Sequence, residues 1–156
     1  LVGSEMCIRD SHGCLETVAS TGSLLALIAH RLPGQPDSLL HHQPLTLSAV
    51  CEAAQSGDRL ARDAIATVGH HVGRILGMMV NIFNPQQILI GSPLNQAADV
   101  LFPAVQNTIH QQSLPAYSAV IQLAPTEFTE PGTLGAAALI KDSLYSGYLL
   151  IKLLQG

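Results

Sequence analysis

The sequence predicts an α/β fold that is rich in helix and whose sheet is incomplete. Three observations support this prediction. An apolar stripe at helical spacing extends over residues 58–84, only residues 88–90 and 119–125 have the composition of strands, and these strands alternate with further helical patterns. A helix, a strand, a glycine turn and another helix make the αβα unit from which parallel sheets are built. Two strands alone make a poor sheet, so part of the domain is expected to be missing.

The first part of the chain predicts two helices separated by a loop. Apolar residues recur at helical spacing over residues 15–31, and the Pro-Gly pair that follows ends the pattern. Residues 33–44 are rich in Pro, Gln, Ser and His, which is typical of a surface loop. Thr46 is a favourable N-cap for a short second helix, and Gly57 ends it.

Asp58 begins the strongest helical pattern, which Asn84 and the proline after it end. The last turns of this helix are apolar nearly all round, which predicts that they are buried between layers. Gly69, Gly73 and Gly77 recur at every fourth residue. Each glycine costs up to about 1 kcal/mol of helix propensity, so this spacing predicts the close approach of a sheet or another helix.

The composition excludes several classes of function for this stretch of chain. Of 156 residues, 47% are hydrophobic and 12% are charged, which fits a globular domain and not a disordered segment. Seven Lys and Arg against eleven Asp and Glu give a net charge of −4 without a basic patch, so this segment is not expected to bind nucleic acid by itself. No apolar run approaches the roughly 18 to 20 residues needed to cross a bilayer. Three irregularly spaced cysteines favour a reducing cytoplasm over a disulfide framework.

The residues alone do not complete a metal or catalytic site. Cys7 and Cys14 with His12 between them fall short of the four ligands of a structural zinc site, and Cys51 lies among small apolar residues of a helix. The pairs at residues 41–42 and 70–71 are histidines without a carboxylate or cysteine at ligand spacing, which favours solvated side chains. The Gly-Ser-Pro turn after the first strand lacks the repeated glycines of a dinucleotide fingerprint and the Lys of a P-loop.

Residues 12–17, "HGCLET", resemble part of a known family. This string resembles the end of the signature Cys-x-Cys-Gly-x-x-Gly-Cys-Leu-Glu of the ROK family (repressors, open reading frames, kinases). The strings "VGHHVGRILGMMVNIFNPQQILIGSPL", "QQSLPAYS", "GTLGAAALIKD" and "LLIKLLQG" are similar to repressors of that family. The resemblance implies the C-terminal half of an actin-like, ribonuclease-H-type ATPase fold. Residues 12–146 would then be the C-terminal part of a ROK domain, residues 147–156 a C-terminal amphipathic helix, and residues 1–11, which resemble nothing in the family, a non-native leader.

The resemblance also implies roles for individual residues. Glu16 occupies the position that contacts sugar hydroxyls in the kinases of the family, and in a repressor it can be a relic. Cys14 matches the last ligand of the family's zinc site, whereas Cys7 matches by spacing only; zinc is therefore expected in a longer parent protein and little of it in this chain. Gly91 and Ser92 lie where the kinases have Gly-Gly for ATP, so nucleotide binding is not expected.

As to function, the resemblance implies a fragment of a sugar-responsive transcriptional repressor and not an enzyme. Its DNA-binding winged helix would precede residue 1, and the B domain of a phosphotransferase-system glucose permease would hold the cytoplasmic, bacterial parent at the inner membrane. A sugar or sugar phosphate is a further possible ligand. An apolar face in the tail would mediate assembly into a dimer or tetramer; its residues are Leu149, Leu150, Leu153 and Leu154. The alternative is a fragment of a ROK sugar kinase of the glucokinase or N-acetylhexosamine kinase type.

Overall fold

The computed structural model of the chain describes residues 15–126 together with Ala138, Lys141 and Tyr145. By compactness the chain divides into two units, Leu1–Pro125 and Thr126–Gly156. In the second unit, the described positions 138, 141 and 145 are helical, and the Lys141 ammonium group lies 5.8 Å from the centre of the Tyr145 ring.

The described part of the first unit consists of helices packed beside a short sheet. Its α-helices are α1 (Glu16–Ala19), α2 (Thr21–Arg31), α3 (Leu47–Gln55), α4 (Arg59–Phe83), α5 (Ala98–Gln112) and α6 (Pro115–Ser118). Its strands are β1 (Gln87–Ile90) and β2 (Gln122–Pro125). Single 3-10 turns occupy Leu32–Gly34, Leu39–His42 and Pro93–Ala97.

The first predicted helix is divided in two at Ser20, so the prediction of one continuous helix over residues 15–31 is wrong. Ser20 has an extended backbone (φ −76°, ψ 160°), and its hydroxyl oxygen accepts a hydrogen bond from the Ser23 amide at 3.1 Å. Serine is a preferred N-cap because its side chain supplies an acceptor for an amide that lacks an intrahelical partner. The chain therefore starts α2 afresh after Ser20 instead of continuing α1.

The long helix α4 has the bounds that the sequence predicts. At its start, the carboxylate of Asp58 accepts a hydrogen bond from the Ala61 amide at 2.8 Å. At its end, Asn84 adopts the left-handed conformation (φ 43°, ψ 54°) and its amide donates to the Val80 carbonyl oxygen at 2.9 Å. Asparagine tolerates this conformation better than other side chains do, and here it turns the chain towards β1.

Helix α5 packs directly on the glycine side of α4, which confirms the predicted close approach. A Cβ atom built on Gly69 would lie 2.8 Å from the Ala104 Cβ, and one built on Gly73 would lie 2.6 Å from the Thr108 Cβ. Carbon atoms attract each other best at about 3.5–4.0 Å, so neither position has room for a side chain. The glycines allow two helix backbones to approach each other more closely than side chains would permit.

The hydrophobic core of the first unit lies where α2, α3 and α5 meet α4. Its largest fully buried side chains come from all four helices and are Leu24, Ile28, Ile65, Ile109, Val50, Val80, Val105 and Cys51. Asp58 is also buried (6% exposed), and it joins the start of α4 to the preceding loop. Its carboxylate accepts hydrogen bonds from the Ser38 hydroxyl at 2.8 Å and from the Leu39 amide at 2.7 Å.

The last turns of α4 are buried on one side only, so the prediction that they lie between two layers is wrong for the described residues. Val80 is completely buried, but Met78, Ile82 and Phe83 are 52%, 72% and 69% exposed. The reason is that hydrophobic periodicity identifies an apolar face without identifying the element that covers it. Residues 15–126 supply a covering element for one face only.

The sheet has two parallel strands, as the predicted αβα order requires. β1 and β2 pair from Gln87 opposite Gln122 to Ile90 opposite Pro125. The second strand begins at Gln122, three residues later than predicted. One face of β1 packs against the core through Ile88 and Ile90, whereas Leu89 on the other face is 59% exposed. Over the described residues, no helix is both long and apolar enough to cross a membrane.

Candidate functional site

A groove between α1 and α4 forms a concave surface on the described residues. It encloses about 420 Å³. Its apolar walls include Leu15 and Val18 on one side and Ile75 and Met78 on the other. The polar residues Thr17, His71, Arg74 and Gln112 also line it. An apolar cleft edged by a cation can accommodate an amphipathic segment or a ligand that combines apolar and anionic groups.

Glu16, the predicted sugar contact, lies next to this groove but not in its lining. It is the first residue of α1 and is exposed. Its neighbours Leu15 and Thr17 line the groove, so Glu16 lies at the edge of the groove. A carboxylate in this position can still accept hydrogen bonds from sugar hydroxyls, and its role stays a prediction.

By its resemblance to the kinases of the family, the turn after β1 is predicted to correspond to their ATP-binding turn. The Ser92 hydroxyl oxygen accepts a hydrogen bond from the Leu94 amide at 3.2 Å, and the Ser92 carbonyl oxygen accepts one from the Asn95 amide at 3.0 Å. The side-chain amide of Asn95 donates to the Ile90 carbonyl oxygen at 2.8 Å, which ties the turn to the end of the strand.

These bonds leave few donors at the turn for a phosphate group. Phosphate sites at such turns use backbone amides that point outwards. Here the amides of Leu94 and Asn95 are used within the turn, and Pro93 has no N–H group. The Oδ1 atom of Asn95 is buried and has no hydrogen-bond partner among the described residues. Two amides of the turn are therefore used internally, and the expected lack of nucleotide binding at Gly91 and Ser92 stays a prediction.

The histidine pairs do not form a catalytic or metal site with each other. The Nδ1 atom of His70 lies 2.8 Å from the Thr108 hydroxyl oxygen, which itself lies 2.8 Å from the Ala104 carbonyl oxygen. Because the single hydroxyl hydrogen goes to that carbonyl, His70 donates through Nδ1. The prediction of solvated histidines therefore fits His70 only in part, because this residue is exposed but one of its ring nitrogen atoms is hydrogen-bonded. The neighbouring His71 lines the groove.

No metal site can be built from the described residues alone. Over residues 15–126 and the three further described positions, no three His, Cys, Asp or Glu side chains lie close enough to hold an ion. Cys51 is buried, and both this burial and the nearby Glu52 charge raise the pKa of its thiol, which makes it an unreactive core residue. Cys7 and Cys14 lie outside the described residues, as do the four leucines of the predicted assembly helix, residues 149, 150, 153 and 154.

Sequence reasoning missed His71 and Arg74 as residues of a concave surface. Both face the same groove as Ile75 and Met78, whose exposure the sequence did not predict. The signal was present in the sequence, because an arginine four residues before Met78 interrupts an otherwise apolar face. An isolated cation on an apolar face is typical of the edge of an interface.

Comparison with known proteins shows the family to which the chain belongs. Residues 3–143 match the ROK family, which is well over half of the 156 residues. The chain belongs to the ROK family. The matched span includes most of the segment 1–11, whose non-native origin stays a prediction.

Several relatives of this ROK chain are transcriptional repressors. It is 57% identical over 150 residues to the DNA-binding transcriptional repressor Mlc of Escherichia coli (strain K12), an alignment that covers 96% of this chain and 37% of the repressor. It is 33% identical over 151 residues to the dual regulator NagC of the same organism, covering 97% of this chain and 37% of NagC. The glucokinase of Thermotoga maritima is 26% identical over 145 residues, covering 89% of this chain and 46% of the enzyme.

A solved structure has the same fold. The crystal structure of a ROK family transcriptional regulator, a homologue of the E. coli Mlc protein, superposes with a TM-score of 0.84 at 38% identity, covering 94% of this chain and 37% of that one. The predicted fold class, part of an actin-like ROK domain with an incomplete sheet, is thereby confirmed. The ROK chain spans about 37% of the length of the repressors that it matches.

Proposed function

We propose that this ROK chain is the C-terminal part of the effector-sensing and assembly domain of a sugar-responsive transcriptional repressor, one that regulates genes for sugar uptake. DNA would be bound by a separate domain that precedes it in the parent protein. The acidic net charge of −4 supports this division, since the sequence contains no run of basic residues that would neutralise phosphates.

The main support for the proposal is the difference in similarity between repressors and kinases. Identity to the Mlc repressor is 57% over 96% of the chain, whereas identity to the Thermotoga glucokinase is 26% over 89% of it. The turn after β1 gives independent support, because Leu94 and Asn95 use their amides internally and Pro93 has none to offer. A kinase needs outward-facing donors near the phosphates of ATP to stabilise the charge that develops on transfer.

The alternative function is a ROK sugar kinase of the glucokinase or N-acetylhexosamine kinase type. It is favoured by the glucokinase relative and by the exposed Glu16 at the family's sugar position. A coupled assay of ATP-dependent phosphorylation of glucose and N-acetylglucosamine by the full-length parent separates the two. We expect no turnover above background; turnover that Glu16→Gln abolishes would establish the kinase instead.

We further propose that the parent self-associates through its tail, with Leu149, Leu150, Leu153 and Leu154 on the contact face. Deletion of residues 147–156 from the full-length parent should lower its mass in light scattering. Replacing Lys152, which lies off that face by helical spacing, with Ser is the matched control and should leave the mass unchanged. An unchanged oligomer after the deletion would contradict this role.

The proposed signal is the docking of the parent to the dephosphorylated B domain of a phosphotransferase-system glucose permease. This would move a cytoplasmic repressor to the inner membrane and away from its operators. Co-purification of the parent with the B domain in its two phosphorylation states is the direct test. Binding that is equal in both states, or absent in both, would contradict the proposal.

Zinc in the parent is proposed from Cys14 alone among the residues of this chain. A structural zinc site takes four ligands, and the described residues contain no group of three that could supply the others. By the resemblance to the family's signature, the remaining ligands would come from residues of the parent that precede His12. In a zinc site of this kind Cys14 would act as a thiolate ligand that fixes the start of α1.

A further inference from the structure

The groove between α1 and α4 has walls that run along two helices. On the α4 side its lining consists of His71, Arg74, Ile75 and Met78, which follow the i, i+3, i+4, i+7 spacing of a single helix face. At a rise of about 1.5 Å per residue, this wall is roughly 10 Å long. The groove therefore has room for about two turns of a third helix.

The α4 wall of the groove is held in place from behind by α5. A Cβ atom built on Gly77 would lie 3.1 Å from the Gln112 Cβ, so the two helices are in close contact beside the groove. The side-chain amide of Asn81 donates to the Gln112 carbonyl oxygen at 3.0 Å, and its side-chain oxygen accepts from the Leu114 amide at 2.9 Å. A wall that is fixed before binding lowers the entropic cost of association.

The apolar part of the groove is open to solvent on both walls. Leu15 and Val18 on the α1 side are 37% and 40% exposed, and Ile75 and Met78 on α4 are 36% and 52% exposed. Sites for small molecules bury most of the surface of the ligand in a concave pocket. Walls that stay this open suit a longer partner, because an amphipathic helix lays one apolar face into a groove and keeps its other face in water.

The two rims of the groove carry opposite charges. Arg74 on the α4 rim is exposed, and no described residue forms an ion pair with its guanidinium group. Glu16 on the α1 rim is exposed as well. A partner that covers the groove removes Arg74 in part from water, which is unfavourable unless the partner supplies an acceptor. A carboxylate suits this role, because it can accept two parallel hydrogen bonds from a guanidinium group.

We propose that this groove binds an amphipathic helix of a partner protein, one with an apolar face of about two turns and acidic residues on the flank that meets Arg74. The apolar face contacts the leucine and valine of the α1 side and the isoleucine and methionine of α4. Glu16 repels acidic residues on the opposite flank, so the charges of the two rims determine which way round the helix lies.

Two other occupants match the groove less well. The tail of this chain, residues 147–156, has an apolar face, but it contains Lys152 and no Asp or Glu, so it would bring a second cation to Arg74. A second copy of this chain, related by a two-fold axis, would place the same concave surface on both sides of the contact. Two grooves facing each other leave a space between them that neither copy fills.

The test measures the binding of two synthetic peptides to the full-length parent. Both peptides are helical, carry a fluorescent label and have leucine at the same four positions of one face; one has Glu along one flank, and the other has Lys there. Affinity is measured by fluorescence anisotropy. Arg74→Glu is the main variant, and Arg59→Glu, at an exposed arginine near the start of the same helix, is the matched control. Met78→Ser shortens an exposed apolar side chain of the groove.

We expect the acidic peptide to bind roughly tenfold more tightly than the basic peptide, since one flank is attracted to Arg74 and the other is repelled. The difference should shrink at about 1 M salt, where charges are screened beyond about 3 Å. Arg74→Glu should reverse the preference and Arg59→Glu should leave it unchanged. Met78→Ser should weaken the binding of both peptides alike.

Three results would overturn the proposal. The first is no binding of either peptide, which would show that the groove is covered by the parent itself or accepts no helix. The second is equal binding of the two peptides, or a preference that Arg74→Glu does not change. The third is an equal loss of preference in Arg74→Glu and Arg59→Glu, which would assign the attraction to the overall charge of α4 and not to the groove.

The groove does not depend on the proposed repressor function or on docking to the permease. A parent that binds the acidic peptide but has no preference for promoter DNA would uphold the groove and contradict the repressor. Specific DNA binding by a parent that binds neither peptide would do the reverse, so the two proposals can fail separately.

Discussion

The close contact between α4 and α5 makes Gly73 the position where the addition of one methyl group should lower the stability most. In Gly73→Ala the new Cβ would lie 2.6 Å from the Thr108 Cβ and 2.8 Å from the Val105 carbonyl oxygen. Alanine in a helix interior favours the helix by about 1 kcal/mol over glycine. Overpacking a core costs about 1–3 kcal/mol. Because one of the atoms met belongs to the backbone, α5 must move as a whole, so we expect a cost near the upper limit and a net loss of about 2 kcal/mol.

Two further glycines provide controls for this value. At Gly77 the nearest atom to a new Cβ is the Gln112 Cβ at 3.1 Å, close to the end of α5, where the helix can yield. At Gly22 the nearest is the Ser20 hydroxyl oxygen at 3.9 Å, which is ordinary contact. We expect Gly77→Ala to change the free energy of unfolding by no more than about 0.5 kcal/mol and Gly22→Ala to raise it by about 0.4–1 kcal/mol.

The assay is unfolding in urea of a chimera that joins this chain to the corresponding preceding part of E. coli Mlc, and of its three variants, followed by circular dichroism and by intrinsic tyrosine fluorescence. Coincident transitions for the two probes are required before a free energy is assigned. We expect Gly22→Ala to be more stable than the unmodified protein, Gly77→Ala to be close to it, and Gly73→Ala to be well below it. A Gly73→Ala variant as stable as the unmodified protein would show that α4 and α5 do have room for a methyl group at that contact.

Other predictions concern charged and metal-binding groups. Asp58→Ala should lower the free energy of unfolding by about 3 kcal/mol in urea, because it removes a helix cap and leaves the Ser38 hydroxyl and a loop amide without their charged acceptor. Burial raises the pKa of Asp58, but its hydrogen bonds outweigh burial and hold the pKa below its ordinary value of 3.8. The stabilisation by this carboxylate is therefore present above about pH 3.8 and is lost as the pH falls through the lower pKa of the folded state. Acid unfolding of Asp58→Asn that matched the unmodified protein would contradict this. Arg62→Ala should lower the free energy of unfolding by less than about 1 kcal/mol, since the 3.3 Å ion pair of Arg62 with Asp99 is substantially exposed. A double-mutant cycle with Asp99→Ala measures the coupling energy of the pair, and a coupling above that value would contradict this prediction. The isolated chain should dissolve poorly, melt without a sharp transition and contain little zinc, so a cooperative calorimetric melt or one equivalent of zinc by mass spectrometry would overturn these expectations.

The elements that the sequence predicts well are those with a local physical cause. The start of α4 follows from the side chain of Asp58, and its end follows from Asn84 before a proline. The spacing of Gly69 and Gly73 predicted close contact because glycine in a helix interior has a cost that packing must offset. In each case, the residues on which the prediction rests lie within one helix or directly at its ends.

The features that the sequence predicts poorly depend on which other element packs against a given face. Ile82 and Phe83 have the pattern of buried residues, and their exposure depends on a covering element that residues 15–126 do not supply. The groove was missed for the same reason, since His71 and Arg74 meet α1 only through the fold. Ser20 is an intermediate case, because its capping preference competes with a helical pattern that continues through it, and the hydrogen bond to the Ser23 amide decides the outcome.

DNA binding by the full-length parent tests most directly whether this chain comes from a repressor. The measurement is a fluorescence-anisotropy titration of the purified parent with promoter DNA from its own sugar-uptake genes, against random DNA of equal length, at physiological salt. We expect specific binding to be tighter than non-specific binding by roughly a thousandfold or more. Equal affinity for the two DNAs, or no binding to either, would contradict a repressor origin.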